Sequence, residues 1–178
     1  MHKYEIEFRT KFDVEKFNSL KEFLDRNAES LGEDNKDCYY YIFTDKLLKL
    51  VNNTSKKTAK ISLKLSRIGD GAAFPEMEFY FPPQEFETAH KLFEALSLPA
   101  KVMYGPQRRT NYLYKDCEIA LKYSDAWGYH MEIEQVIDSK DKQAKAEADI
   151  RRVADELGIT LMSEEELKEF TKIAESKA

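Results

Sequence analysis

Tyr4-Glu5-Ile6-Glu7-Phe8-Arg9-Thr10-Lys11-Phe12 is the stretch that decides the fold, because its side chains alternate in polarity. Charged residues occupy the odd positions, Glu5, Glu7, Arg9 and Lys11. Apolar residues occupy four of the even positions, Tyr4, Ile6, Phe8 and Phe12. Successive side chains of a β-strand point to opposite faces of its sheet. The stretch therefore predicts a strand with one apolar face and one face that carries two carboxylates followed by two cations.

The same alternation recurs further along the chain. Lys60 and Lys64 share one face of a strand whose other face is aliphatic, and two more Glu-x-Glu pairs follow in Glu76/Glu78 and Glu132/Glu134. In an open sheet this pattern describes a solvated charged face, which is the simpler interpretation of periodicity alone. Apolar helical stripes, however, need the apolar sheet face, so the polar face either meets water or encloses a charged lumen. A charged lumen is costly to build unless it binds something charged.

Short turns between consecutive strands predict an antiparallel sheet and an α+β fold. Asp13 is a candidate N-cap for the first helix, and Pro82-Pro83 opens another. The C-terminal part, about residues 140–176, reads as helices packed on the sheet, the last of them opened by a capping box from Ser163 to Glu166. The 178 residues suit one domain, 1–178, with an ordinary core.

Composition narrows the classes of partner. A net charge of −5 argues against nucleic acid or an anionic membrane surface as the main partner. Cys38 and Cys117 form no CxxC motif, and no signal peptide opens the chain, so we expect free thiols and a cytoplasmic location. The sequence leaves open whether the protein forms a homodimer.

Six segments resemble, in order, the motifs of CYTH-domain proteins, also called triphosphate tunnel metalloenzymes. Glu5-x-Glu7-x-Arg9 is similar to the opening ExExK signature of the family. The other segments are Asp37–Tyr40, Ser62–Lys64, Phe74–Glu78, Gln107–Tyr112 and Trp127–Glu134. Together they span most of the chain.

The resemblance implies a closed antiparallel eight-stranded β-barrel, the triphosphate tunnel, with flanking α-helices. It implies Mg²⁺ or Mn²⁺ held by Glu5, Glu7, Glu132 and Glu134. It implies a triphosphate compound, such as tripolyphosphate, thiamine triphosphate or ATP, bound by Arg9, Lys11, Lys49, Lys64, Arg109 and Lys122. Glu5, Glu7 and Arg9 are the candidate catalytic residues. Carboxylates suit hard cations, and guanidinium or ammonium groups suit phosphate oxygens.

The resemblance leaves three functions open. A triphosphatase cleaves a phosphoanhydride bond with water, and a class IV adenylyl cyclase converts ATP to cyclic AMP and pyrophosphate. The third is a non-catalytic module that binds polyphosphate or nucleotide. Arg9 stands where the family usually has Lys, and Lys122 stands where it usually has Asp. This reversal of charge at Lys122 is the feature that favours the binding module.

Overall fold

The computed structural model describes residues 4–65 and 76–176. Its strands are β1 (Tyr4–Lys11), β2 (Glu29–Glu33), β3 (Lys36–Ile42), β4 (Leu47–Asn53), β5 (Thr58–Lys64), β6 (Glu76–Phe81), β7 (Lys101–Tyr104), β8 (Arg108–Tyr114), β9 (Cys117–Ser124) and β10 (Gly128–Ile137). Its α-helices are α1 (Val14–Asn27), α2 (Phe86–Ala95), α3 (Gln143–Glu156) and α4 (Glu164–Ser176). Short 3-10 turns, Pro83–Glu85 and Lys140–Lys142, precede α2 and α3. Phe74, Pro75 and both ends of the predicted domain lie outside the described residues.

The α+β class and the antiparallel pairing are confirmed, but the predicted closed barrel of eight strands is wrong. The described strands form two separate antiparallel sheets of five, in the orders β1-β10-β9-β8-β2 and β6-β5-β4-β3-β7. Alternation determines which face a side chain occupies, but it does not determine which strand edges pair. Two sheets that face each other therefore satisfy the same pattern as a barrel.

Each sheet buries its apolar face against its own helices. The first sheet packs on α1 and α3 through fully buried residues such as Ile6, Leu24, Ile133 and Ile150. The second sheet packs on α2, where Phe86 joins a cluster of apolar side chains that includes Tyr41, Leu50 and Phe93. The polar faces of the two sheets consequently face each other.

Two of the predicted helix starts are confirmed by their hydrogen bonds. The Lys16 N–H donates to Asp13 Oδ1 at 2.8 Å, as expected of an N-cap. At α4, the Ser163 N–H donates to Glu166 Oε2 at 2.8 Å, and the Glu166 N–H donates to Ser163 Oγ at 3.2 Å. This reciprocal pair is the predicted capping box.

Strand β2 was not predicted from the sequence. Its residues, Glu29-Ser30-Leu31-Gly32-Glu33, lack β-branched side chains, and the strand lies at the edge of its sheet with a register shift between Ser30 and Gly32. Asp34 and Asn35 then carry the chain from the first sheet to the second. Main-chain hydrogen bonds in both directions between Lys36 and Gln107 join the sheets at this point. Among the described helices, none has the length and apolar character needed to span a membrane.

Candidate functional site

A cleft of about 260 Å³ lies between the two sheets and is lined by side chains from both. Among its lining residues are seven cations, Arg9, Lys36, Lys49, Lys60, Lys64, Arg109 and Lys122. They face five carboxylates, Glu5, Glu7, Glu78, Glu132 and Glu134. Several of these groups are buried, including Lys64 at 6% and Lys122 at 5% exposure. Such a concentration of charge in a confined space attracts an anion or a metal–anion complex.

The cleft brings together every site residue predicted from the sequence except Lys11. The residues that line it are Glu5, Glu7, Arg9, Lys49, Lys64, Arg109, Lys122, Glu132 and Glu134. Lys11 is exposed at the end of β1, where its Nζ lies 4.7 Å from the centroid of the Phe170 ring on α4. It lines a separate depression together with Met162 and Ile173.

Glu5, Glu7 and Glu134 form a carboxylate cluster at one side of the cleft. Each offers an oxygen, and these oxygens lie within 4.8 Å of one another. The cluster arises because Glu5 and Glu7 share one face of β1 while Glu134 stands opposite Glu7 in the antiparallel register. Burial and the neighbouring Glu5 carboxylate raise the pKa of Glu134 to about 8. Three converging oxygen donors that repel one another fit the preference of Mg²⁺ or Mn²⁺ for carboxylate ligands.

Glu132 has different surroundings, although it was predicted as a fourth metal ligand. Its carboxylate pairs with Lys122, lies 3.0 Å from Arg9 Nε, and lies 3.7 Å from Arg109 Nη1. Burial alone would raise its pKa, but Lys122, Arg9 and Arg109 together hold that pKa well below its usual value. Burial also lowers the pKa of Lys122 to about 8, against the attraction of Glu132. Glu132 therefore lies at the centre of three cations, and its role as a metal ligand stays a prediction.

Arg9 connects the carboxylate cluster to this group of cations. Its Nη2 lies 2.5 Å from Glu7 Oε1, and its guanidinium carbon lies 5.6 Å from the centroid of the Trp127 ring. Its buried Nε has no hydrogen-bond partner among the described residues, although the Glu132 carboxylate is close. Burial would raise the pKa of Glu7, yet Arg9 and the nearby lysines lower it, so Glu7 stays ionised. The site thus holds an ionised carboxylate and a guanidinium side by side.

Several residues that line the cleft were not predicted as site residues from the sequence. Lys36, Gln107 and Trp127 are among them, and for Lys60 the alternation that it shares with Lys64 was a usable signal. His130 also lines the cleft; it is buried, and its Nδ1 lies 2.9 Å from the carbonyl oxygen of Gly128. Burial and the Lys122 charge lower the pKa of His130 to about 4. The side chain is therefore neutral near pH 7.

No protein-family model matches the chain, and no curated protein matches it. Solved structures do resemble it. A conserved hypothetical protein of Pyrococcus furiosus superposes with a TM-score of 0.72 at 23% identity, covering 89% of this chain and 94% of that one. A candidate adenylate cyclase of Vibrio parahaemolyticus gives a TM-score of 0.69 at 16% identity, covering 97% and 99%.

A third similar structure is a candidate adenylyl cyclase of Hippeastrum with a dominant triphosphatase activity. It gives a TM-score of 0.62 at 14% identity and covers 90% of each chain. These likenesses extend over nearly the whole of each molecule. They show a likeness of fold to proteins described as candidate adenylyl cyclases, in agreement with the resemblance that the ordered motifs indicated.

Proposed function

We propose that the protein is a metal-dependent triphosphatase that binds a triphosphate compound in the cleft and cleaves a phosphoanhydride bond. The observation that carries this proposal is the position of the carboxylate cluster beside the group of cations in one confined cleft. Phosphoryl transfer depends chiefly on positioning the phosphates and neutralising the charge that develops on them. An arrangement of acidic metal ligands beside phosphate-binding cations provides both.

In this proposal the acidic residues of the cleft bind the metal ion and the basic residues bind the phosphates. Glu5, Glu7 and Glu134 are the proposed ligands of Mg²⁺ or Mn²⁺, which when bound supplies charge neutralisation and activation of water. The cations proposed to bind the phosphate oxygens are Arg9, Lys49, Lys64, Arg109 and Lys122. Lys11 is left out of this set because it lies on the other depression, against Phe170.

Glu132 has a separate place in the proposal. Its carboxylate holds Arg9, Arg109 and Lys122 close together. The like charges of these cations would otherwise push them apart in a buried site. The triphosphate oxygens then meet a preassembled group of donors, so little reorganisation is needed on binding. Arg9 also bridges to the carboxylate cluster through Glu7, so the proposed phosphate and metal sites adjoin each other.

The test is to incubate the purified protein with Mg²⁺ or Mn²⁺ and tripolyphosphate, thiamine triphosphate or ATP, and to separate the products by chromatography. We expect release of phosphate, and we expect Glu7→Gln to abolish it because the carboxylate cluster loses a ligand. Glu29→Gln is the matched control, since Glu29 is an exposed glutamate on β2 that does not line the cleft. Full activity in Glu7→Gln contradicts the proposed role of the cluster.

The same assay distinguishes the proposed triphosphatase from two other candidate functions. Trp127 and Tyr40 give the cleft aromatic surfaces that suit a nucleobase, which favours a cyclase acting on ATP. Cyclic AMP and pyrophosphate would then replace phosphate among the products. The pairing of Lys122 with Glu132 favours a non-catalytic binding module, for which we expect metal-dependent binding without any product. In all three cases we propose a cytoplasmic protein, in keeping with its buried, free Cys38 and Cys117.

A further inference from the structure

We propose that Asp34 is the residue that positions Arg109 and Lys36 for phosphate binding in the cleft. Asp34 is 4% exposed and does not line the cleft itself. It lies between β2 and β3, where the chain crosses from the first sheet to the second. This role rests on the proposed function, and it adds to that function a residue that the sequence motifs did not point to.

The Asp34 carboxylate receives contacts from both sheets. From the second sheet, Lys36 Nζ on β3 lies 2.8 Å from Oδ2, and the Asn53 side-chain amide on β4 donates to Oδ1. From the first sheet, Arg109 Nε on β8 lies 3.3 Å from Oδ2, and the Asn111 amide donates to the same oxygen at 3.5 Å. Lys56, in the turn between β4 and β5, lies 3.3 Å from Oδ1. One buried carboxylate thus joins three strands, β3, β4 and β8.

Backbone hydrogen bonds hold the Asp34 main chain beside Arg109. The Asp34 N–H donates to the Arg109 carbonyl at 2.8 Å, and the Arg109 N–H donates to Asn35 Oδ1 at 2.9 Å. Asp34 and Arg109 are therefore tied to each other through backbone as well as side chain. The Asp34 main chain is thereby held beside the start of β8.

Arg109 is the link between Asp34 and the cleft. Its Nε faces Asp34 and Asn111, whereas its Nη1 lies 3.7 Å from Glu132 Oε2 inside the cleft. The guanidinium group is planar and rigid. Nη2 donates to Glu118 Oε1 at 3.3 Å, so holding the group at Nε and Nη2 fixes the direction in which Nη1 faces the cleft. Lys36, the other cation that contacts Asp34, also lines the cleft.

A buried carboxylate is expensive unless its partners are well placed, and Asp34 has enough partners to remain charged. Burial raises its pKa, but Lys36, Asn53 and Arg109 hold that pKa far below its usual value. If Asp34 acted only through its charge, it would weaken phosphate binding, because its negative charge lies beside cations that must attract phosphate. If Asp34 instead positions Arg109 and Lys36, removal of its charge should weaken phosphate binding. The two views can therefore be separated by experiment.

The experiment compares binding of tripolyphosphate, in the presence of Mg²⁺, by the wild-type chain and by Asp34→Asn using isothermal titration calorimetry. We expect Asp34→Asn to bind about 10- to 100-fold more weakly, as is typical when a residue that orients a ligand-binding group is lost. Asp37→Asn is the matched control, because it removes the same charge from β3 at a residue that does not line the cleft. It should bind as the wild type does.

A double variant tests whether Asp34 acts through Arg109. If it does, the double variant Asp34→Asn/Arg109→Ala should lose less affinity than the sum of the losses in Asp34→Asn and Arg109→Ala, because the two side chains act as one unit. Additive losses contradict this coupling. Equal or tighter binding by Asp34→Asn overturns the positioning role, while wild-type protein that binds no tripolyphosphate overturns the proposed function and this role with it.

Asp34→Glu provides a second measurement should Asp34→Asn fail to fold. It keeps the buried charge but moves the carboxylate by one methylene group. A positioning role predicts that this variant also loses affinity while remaining folded by circular dichroism. Wild-type affinity in Asp34→Glu would show that charge alone is needed at this position, and would overturn the role.

Discussion

Glu134→Gln should make the metal-free protein more stable while weakening its response to metal. Glu134 lies in the carboxylate cluster, where burial and the Glu5 carboxylate raise its pKa to about 8 from 4.5. The folded chain therefore holds a proton on Glu134 more tightly than the unfolded chain does. As the pH rises from 4.5 to about 8, the unfolding free energy contributed by this residue must fall.

The magnitude follows from these two pKa values. At pH 7 a carboxyl group with a folded pKa of about 8 in place of 4.5 lowers the unfolding free energy by about 3 kcal/mol. Water and salt reach the open cleft, and their screening reduces this effect to about 1–2 kcal/mol. Glutamine has nearly the same shape and no charge to bury. We therefore expect Glu134→Gln to gain about 1–2 kcal/mol at pH 7 and to lose this advantage near pH 4.

The assay is urea unfolding of both proteins between pH 4 and pH 8, first with a chelator and then with Mg²⁺ or Mn²⁺. Metal should stabilise the wild type more than the variant, because a ligand that binds only the folded state stabilises it according to its affinity. Glu29→Gln is the same change at an exposed strand position. It should alter neither the stability of the metal-free protein nor the stabilisation by metal. A variant that is no more stable than the wild type, or whose advantage does not change with pH, refutes the reasoning.

Two further predictions concern stability away from the cleft. Asp13→Ala removes the side-chain acceptor of the Lys16 N–H at the start of α1 and should lower the unfolding free energy by about 1 kcal/mol; an unchanged urea midpoint would contradict this. Ile150→Ala opens a cavity where α3 packs on the first sheet and should lower the unfolding free energy by about 2–5 kcal/mol. Ile173→Ala, at a residue that is 47% exposed on α4, is its control and should have little effect in the same titration.

The sequence predicted which face each strand side chain occupies, but not how the strands join. Alternation along β1 correctly separated Glu5, Glu7 and Arg9, which line the cleft, from Ile6, which is buried in the core. It could not distinguish a barrel from two facing sheets, because closure depends on pairing between strand edges that are distant in sequence. The exposed edge strand β2 was missed because its residues carry no apolar alternation.

Prediction of the candidate site from the sequence was limited in the same way. The charged residues could be found from their spacing, yet their partners could not. Nothing in the sequence indicates that Glu134 meets Glu5 and Glu7 while Glu132, two residues earlier, pairs with Lys122. That division follows from the register between β1 and β10 and from the strand that lies beside them. Asp34 escaped notice because a lone aspartate between two strands reads as an ordinary turn residue.

Because the two faces of each sheet have different roles, the sequence of the cleft can diverge while the fold is kept. Stability resides in the outward faces, where the helices pack, and ligand binding is proposed for the inward faces. A mutation on an inward face can therefore change what the cleft accepts without loosening either core. Selection could replace cleft residues one at a time while the architecture persisted. Similar structures at only 14% to 23% identity are what such a separation allows.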